Sequence, residues 1–118
     1  MKKENSSDKV VEVSTSDLAT LAGVTACSVY GVVGLLDSKN ISSQSNKLFK
    51  LIRKEDYKNG VSVKKVKDAY EISLYVVCSK TVKIVEVVYE IQKQVKYSLK
   101  KKYKVKLNKV NVFVQGVK

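Results

Sequence analysis

The side chains of this chain that could do chemistry are two thiols and a scatter of carboxylates. The sequence contains no histidine and only two cysteines, Cys27 and Cys78, which lie far apart. A structural metal site needs about four ligands, and a cysteine nucleophile usually has a histidine beside it. The sequence therefore predicts no metal site and no thiol enzyme. We expect both cysteines to pack as small apolar side chains in a reducing compartment.

General acid–base catalysis would have to rest on carboxylates. The candidates are Glu55, Asp56, Asp68, Glu71 and Glu86. Enzymes of this kind place two titratable groups in one site, and the spacing of these five predicts no such pair. We therefore expect a protein without enzymatic activity and without a cofactor.

The chain is strongly basic, with a formal net charge of +12, and Arg53 is its one arginine. Lysine acts as a point charge and lacks the planar fork with which arginine grips phosphates and bases. The charge favours encounter with nucleic acid or anionic lipid, but a lysine-rich, AT-biased genome accounts for it equally well. The basic run is Lys100, Lys101, Lys102 and Lys104. It either stabilises the negative end of a helix dipole or contacts an anionic surface.

At 118 residues the chain is long enough for one domain. We expect a flexible polar tail over residues 1–9 and one domain over 10–118. Valines at 10, 11 and 13 predict a short strand. Helix-capping residues at 14–17 then predict the start of a helix. This helix should run to about residue 30, because the following Gly31 is typical of a helix end. A long polar loop follows at about 37–60.

The second half of the domain alternates between strand and helix periodicity. Residues 61–66 and 70–78 predict an antiparallel hairpin, and an apolar stripe over 82–102 predicts a helix. The last segment is a strand in which the apolar residues change from odd to even positions. A strand can change in this way only at an irregularity, so we predict a bulge near Asn108-Lys109. The order β-α-β-β-α-β predicts an α+β fold: a small, mainly antiparallel sheet of three to four strands with two helices on one face.

Residues 18–36 contain no charge and approach the length of a membrane-spanning helix. Three glycines interrupt this segment, and Asp17 and Asp37 bracket it. No basic residue at either end sets an orientation. We therefore expect a helix of the domain here and not a transmembrane helix.

Three stretches of the sequence resemble the alkaline-shock-protein family of Gram-positive envelope-stress proteins. They are VEVSTSDLATLAGVTACSVYGVVGLL, EISLYVV leading into VKIVEVVYEIQKQV, and KVNVFVQGV. The Gly31-Val32 and Gly34 residues match the family's Gly-Val-x-Gly turn. Thr81 and Val85 depart from the glycine and proline that the family usually has at the start of its second helix.

The resemblance implies a non-enzymatic cytoplasmic protein that acts at the inner face of the membrane in envelope upkeep. It implies protein partners, which include a small membrane-anchored protein or a fatty-acid or dihydroxyacetone-type kinase system. It also implies self-association and, at most, peripheral membrane contact. The turn at Gly31, Val32, Val33, Gly34 and Leu35 would supply part of the interface, although all of these residues could instead belong to the core.

A small basic RNA-binding domain is the alternative. The Gly-x-x-Gly of residues 31–34 is similar to the loop with which KH domains clamp nucleic acid. Its middle residues are Val32 and Val33, where a clamp loop favours basic or polar side chains. The tyrosines form no recognisable base-stacking motif. Nucleic acid is therefore the less favoured partner.

Overall fold

Two α-helices pack on one face of a four-stranded sheet in the computed structural model, which describes residues 13–37 and 51–118. The elements are, in chain order, α1 (Thr15–Cys27), β1 (Val32–Leu35), a 3₁₀ helix (Lys54–Gly60), β2 (Val61–Val66), β3 (Ala69–Cys78), α2 (Ile84–Tyr103) and β4 (Leu107–Val117). The predicted α+β fold with a mainly antiparallel sheet is confirmed.

Strand β3 is the centre of the sheet. On one edge it pairs antiparallel with β2 over residues 69–74 and then with β1 over residues 76–78. On its other edge it pairs in parallel with β4 along nearly its whole length. Two short strands thus share one edge of β3, and β4 covers the other.

Helix α1 begins where the cluster of capping residues predicts. The Ser16 amide donates to the Ser14 hydroxyl oxygen at 3.1 Å, which satisfies one of the free amides of the first turn. The helix ends at Cys27, and Gly31 follows with a φ of +101°. Glycine adopts this conformation without steric penalty, so the chain can reverse here and enter β1.

The predicted order of elements lacks β1 and is wrong at this point. A tight turn was expected at Gly34, but this residue lies within β1 and pairs with Val77. A four-residue strand that contains a glycine has too little alternation to be recognised from sequence. The strand predicted at 10–13 and the tail over 1–9 lie outside the described residues except for Val13, which is not in a strand. Of the predicted loop, residues 54–60 form the 3₁₀ helix and 38–50 lie outside the described residues.

The core lies between the helices and the sheet. It consists of Leu18, Ala22 and Ala26 from α1, Ile72, Leu74, Val76 and Cys78 from β3, and Val87, Ile91, Val95 and Leu99 from α2, with further apolar residues around them. Leu99 and Ile91 are completely buried, as the helical stripe predicts. A stripe that starts at residue 82 also predicts a buried Ile84, but 37% of its surface is exposed, and Val87 is the first buried residue of α2.

The predicted bulge in the last strand is confirmed. Tyr70 pairs with Leu107 and Glu71 with Lys109, so Asn108 is an extra residue on β4. The bulge moves the valines at 110, 112 and 114 to the parity that faces the helices. The change of apolar parity in the sequence is the direct trace of this irregularity.

Among residues 13–37 and 51–118, neither helix is both long enough and apolar enough to cross a membrane. The uncharged segment 18–36 is divided between α1, the Gly31 turn and β1.

Candidate interaction surfaces

The Gly31 turn is fixed against the start of α2. A Cβ atom on Gly31 would lie 2.8 Å from Val87 Cγ2, closer than real Cβ atoms approach, and 3.1 Å from Val82 Cγ2, which is tighter than most real contacts. The Ser79 amide also donates to the Gly31 carbonyl oxygen at 2.8 Å. The family-type turn therefore positions the end of α1 beside the N-terminal end of α2.

The five residues of this turn do not share one surface. Val33 is 40% exposed, and Val32 is half-buried against the core. Gly34 is buried beneath the Leu51 side chain. Leu35 is completely buried, so it belongs to the core and cannot contact a partner. The turn builds the local structure, and only Val33 among these five remains substantially exposed.

Large exposed apolar side chains occur instead just before this turn and in the first half of α2. Tyr30 is 87% exposed and Val85 is 82% exposed, with Tyr89 one helical turn after Val85 at 63%. We call Tyr30, Ile84, Val85 and Tyr89 the α2 N-terminal surface. Sequence reasoning missed it, although Val85 is an apolar residue on the polar side of the helical pattern, which is a detectable signal.

A surface cavity of about 440 Å³ lies beside this surface. Its lining residues are Val29, Tyr30, Thr81, Val82, Lys83, Glu86, Val87 and Glu90. Glu86 pairs with Lys83 at 4.0 Å, and Glu90 pairs with Lys93 at 3.2 Å. Hydrogen bonds from Gln94 and Lys93 lower the pKa of Glu90 below its usual value, so its carboxylate stays charged beside the cavity.

The predicted basic run lies at the opposite end of α2, about 20–30 Å from Val85 along the helix axis. Lys100 and Lys104 line a groove of about 620 Å³ together with Lys96, Tyr97, Val105, Lys106 and Leu107. The Lys101 ammonium lies 5.4 Å from the centre of the Tyr97 ring, and the Lys102 ammonium lies 5.6 Å from that of Tyr103. The structure thus brings Lys100 and Lys104 together in one groove, whereas Lys101 and Lys102 lie over aromatic rings. Lys96 and Lys106 were missed, although Lys96 precedes Lys100 by one helical turn.

The candidate carboxylates lie on several different elements. Glu55 and Asp56 are in the 3₁₀ helix, and Glu86 is in the first turn of α2. Asp68, in the β2–β3 turn, pairs with Lys106 at 3.3 Å. Glu71 on β3 accepts a hydrogen bond from the Asn108 amide at 3.1 Å.

Both cysteines are free thiols. Cys78 is completely buried in the core, whereas Cys27 is half-buried at the end of α1. Burial raises the pKa of both thiols, although a hydrogen bond from the Tyr57 hydroxyl partly offsets the effect on the pKa of Cys27. The same hydrogen bond and burial raise the pKa of Tyr57. Both thiols are therefore held in their neutral, weakly nucleophilic form.

The sheet face away from the helices carries an aromatic pair. The Tyr75 and Phe113 rings stack at a centroid distance of 5.2 Å and an interplanar angle of 19°. Beside them the Asn111 amide donates to the Ser73 hydroxyl at 3.3 Å. Phe113 is 44% exposed, so one side of the pair is open to a ligand.

Comparison with known proteins decides the family. Residues 3–118 match the model of the alkaline shock protein 23 family, which is described as having a cell envelope-related function. The chain belongs to the alkaline shock protein 23 family. The match covers α1, the Gly31 turn and all four strands, so the resemblance predicted from three short stretches is confirmed.

Two relatives extend this result within the alkaline shock protein 23 family. The chain is 36% identical over 116 residues to the uncharacterized protein Spy1614 of Streptococcus pyogenes, with 98% of this chain and 93% of the relative covered. It is 32% identical over 108 residues to the uncharacterized protein YloU of Bacillus subtilis, with 92% of this chain and 88% of the relative covered. No solved structure matches the chain.

Proposed function

We propose that this member of the alkaline shock protein 23 family is a non-enzymatic cytoplasmic adaptor that acts at the inner face of the membrane in envelope homeostasis. It would bind a membrane-anchored protein through the α2 N-terminal surface and associate with copies of itself. The cell envelope-related function of the family supports the general role. The observation that carries the adaptor proposal is the exposure of Tyr30 and Val85 at 87% and 82%.

Single exposed apolar side chains are common on protein surfaces, whereas several of them near one cavity are typical of an interaction site. Tyr30 sits at the rim of a cavity whose other residues include Val29, Val82 and Val87, so a partner side chain could extend the apolar contact inward. Tyrosine at such a position contributes a large rigid contact area with one polar atom, which is typical of binding hot spots. The expected occupant is an apolar segment of the partner, close to the point where it leaves the membrane.

The outer edge of β4 supports the self-association part of the proposal. Within the described part of the chain, β4 pairs with β3 alone, and 11 residues of strand lie along that edge. An unpaired edge of this length presents backbone donors and acceptors to another strand. A second copy could add its own β4 there and continue the sheet across the dimer.

Capture from the native host with mild detergent tests the adaptor proposal. We expect the protein to recover one membrane-anchored protein, and a Tyr30→Ser/Val85→Ser double variant to lose it. A Phe113→Ser variant is the matched control because it also removes an exposed aromatic side chain, but from the sheet. Equal recovery by the double variant and the native protein would contradict the proposed surface.

An RNA-binding function is the second candidate, and the stacked Tyr75–Phe113 pair is the observation that favours it. Base stacking on exposed aromatic rings of a sheet is a common mode of single-strand recognition. Filter binding with an RNA oligonucleotide distinguishes the two functions. Affinity that persists at moderate salt and falls in Phe113→Ser would favour RNA, whereas weak binding lost with salt reflects charge attraction alone.

A further inference from the structure

The groove at the C-terminal end of α2 combines a lysine rim with an apolar floor. Lys96 and Lys100 stand on the last turns of the helix, and Lys104 and Lys106 stand on the segment that leads into β4. Tyr97, Val105 and Leu107 supply the apolar surface between them. Tyr97 is 61% exposed, and the groove holds about 620 Å³.

The backbone builds the two sides of the groove. Lys104 adopts the left-handed conformation with a φ of +59°, and its amide donates to the Lys100 carbonyl oxygen at 3.0 Å. This closes α2 and reverses the chain, so that Val105 and Lys106 run back beside the helix. The Tyr70 amide then fixes the segment by donating to the Lys106 carbonyl oxygen at 2.9 Å.

The charges of the rim are largely uncompensated. Lys106 pairs with Asp68 at 3.3 Å, whereas Lys96, Lys100 and Lys104 form no ion pair with another described residue. Among residues 13–37 and 51–118, no carboxylate lines the groove. The C-terminus of a helix carries a partial negative charge of about one half, which these ammonium groups outweigh. The groove is therefore a cationic site with an apolar interior.

We infer that this groove binds an anionic phospholipid of the membrane surface. The phosphate would contact the ammonium groups of Lys96, Lys100 and Lys104. The glycerol and the first part of an acyl chain would lie against Tyr97 and Val105. The inference rests on the proposed location at the membrane but not on the proposed protein partner.

The apolar floor favours a lipid over other anions. A free phosphate ion gains nothing from Tyr97, Val105 or Leu107, whereas an amphiphile covers them. The Lys101 ammonium lies over one face of the Tyr97 ring; a nucleic-acid base needs a whole open face for stacking, whereas an acyl chain can pack against the ring edge and Val105. Lysines on long flexible stems and an exposed tyrosine suit the polar headgroup region of a bilayer.

Vesicle co-sedimentation of the purified protein tests the inference. The probes are phosphatidylcholine vesicles with and without about one third phosphatidylglycerol. One lysine near an anionic surface contributes about a fivefold change in affinity. We therefore expect Lys96→Gln/Lys100→Gln/Lys104→Gln to weaken binding to the anionic vesicles by about a hundredfold. The control with equal net charge changes Lys58, Lys64 and Lys80 to Gln and should lose far less.

A second variant separates a lipid site from charge attraction. Tyr97→Ser keeps the net charge and changes an exposed residue, and we expect it to weaken vesicle binding several-fold. Equal losses in the two triple variants, or no effect of Tyr97→Ser, would overturn the inference. Displacement of the vesicles by inorganic phosphate or an RNA oligonucleotide at comparable concentration would also overturn it. Because no partner is present, failure here is distinguishable from failure of the capture experiment.

Discussion

Gly31 and Val87 meet so closely that a Cβ atom on the glycine would lie 2.8 Å from Val87 Cγ2. This contact joins the turn after α1 to the first buried residue of α2, and through it to the core. The φ of +101° at Gly31 is independently unfavourable for any other residue. Sterics and backbone conformation thus both require glycine here.

Gly31→Ala should therefore destabilise the protein by about 2–4 kcal/mol, from backbone strain together with overpacking against Val87. Urea unfolding followed by circular dichroism measures this change. Gly34→Ala is the matched control, because its nearest neighbour is the end of the Leu51 side chain at 3.1 Å and no positive φ is needed. It should cost less than about 1 kcal/mol, and equal costs at the two positions would contradict this explanation.

Lys67 adopts a φ of +58° in the two-residue turn between β2 and β3. A side chain costs about 1 kcal/mol in this region, whereas glycine has no such penalty. Lys67→Gly should therefore raise the free energy of unfolding by about 1 kcal/mol. Lys64→Gly, three residues earlier within β2, should lower it by about 0.5–1 kcal/mol, because glycine weakens a strand. Replacement of lysine by glycine should thus stabilise the protein at position 67 and destabilise it at position 64. Thermal or urea unfolding of the two variants measures this difference.

The two thiols predict a loss of stability at alkaline pH. Burial raises the pKa of Cys27 and of Cys78, so the folded state favours the protonated thiols. A thiol whose pKa is higher in the folded state than in the unfolded state stabilises the fold at pH values below the unfolded pKa of about 8.5. This stabilisation is lost as the pH rises through the pKa of the folded state. The free energy of unfolding should therefore fall above about pH 8.5.

Alkylation and pH-dependent unfolding measure this effect. At pH 8 a thiol reagent should modify both cysteines slowly in the native protein and rapidly in urea. Cys27→Ala should make the alkaline decline shallower, because one of the shifted groups is gone. Stability that rises between pH 8 and 10 would show that the assigned direction of the pKa shifts is incorrect.

The sequence predicts the parts of this fold whose side chains follow one strong period. The α2 stripe through Ile91, Val95 and Leu99, the β2–β3 hairpin and the Asn108 bulge all leave such traces. Strand β1 was missed because its four residues include Gly34, and because its last residue, Leu35, is buried together with the following Leu36, which gives no alternation. The parallel pairing of β4 was not specified either, since strand direction depends on long-range packing.

The residues of the candidate surfaces also include some that the sequence predicts and some that only the fold brings together. Lys100 and Lys104 were predicted from a local run of charge, and the structure adds Lys96, Lys106 and the apolar floor between them. These residues converge only because the chain reverses at Lys104. The position of Tyr30 was missed because only the Gly31 turn places it beside Glu86 and Val87 of α2. A sequence displays neither kind of convergence.

The hydrogen bonds of β4 determine which of its backbone groups are available for self-association. The Tyr70 amide donates to the Lys106 carbonyl oxygen and the Lys118 amide donates to the Cys78 carbonyl oxygen, so the even-numbered residues of β3 bond to β4. With the observed register, the amide of Phe113 points toward β3, while that of Val112 points away from it. The Val110 carbonyl also points outward, since it accepts a hydrogen bond from the Gln92 side chain at 2.9 Å.

Val112→Pro should therefore abolish self-association and cost less stability than a proline at Phe113: it removes only an outward amide, which an edge strand tolerates, although it also replaces a valine packed against the core. Phe113→Pro, one residue later, should instead destabilise the monomer by about 3 kcal/mol or more, since it removes a bond to β3 and strains the strand. Sedimentation velocity over a range of concentrations, together with urea unfolding, separates the two effects. If Val112→Pro associates as strongly as the native protein, the copies meet through a surface other than the β4 edge.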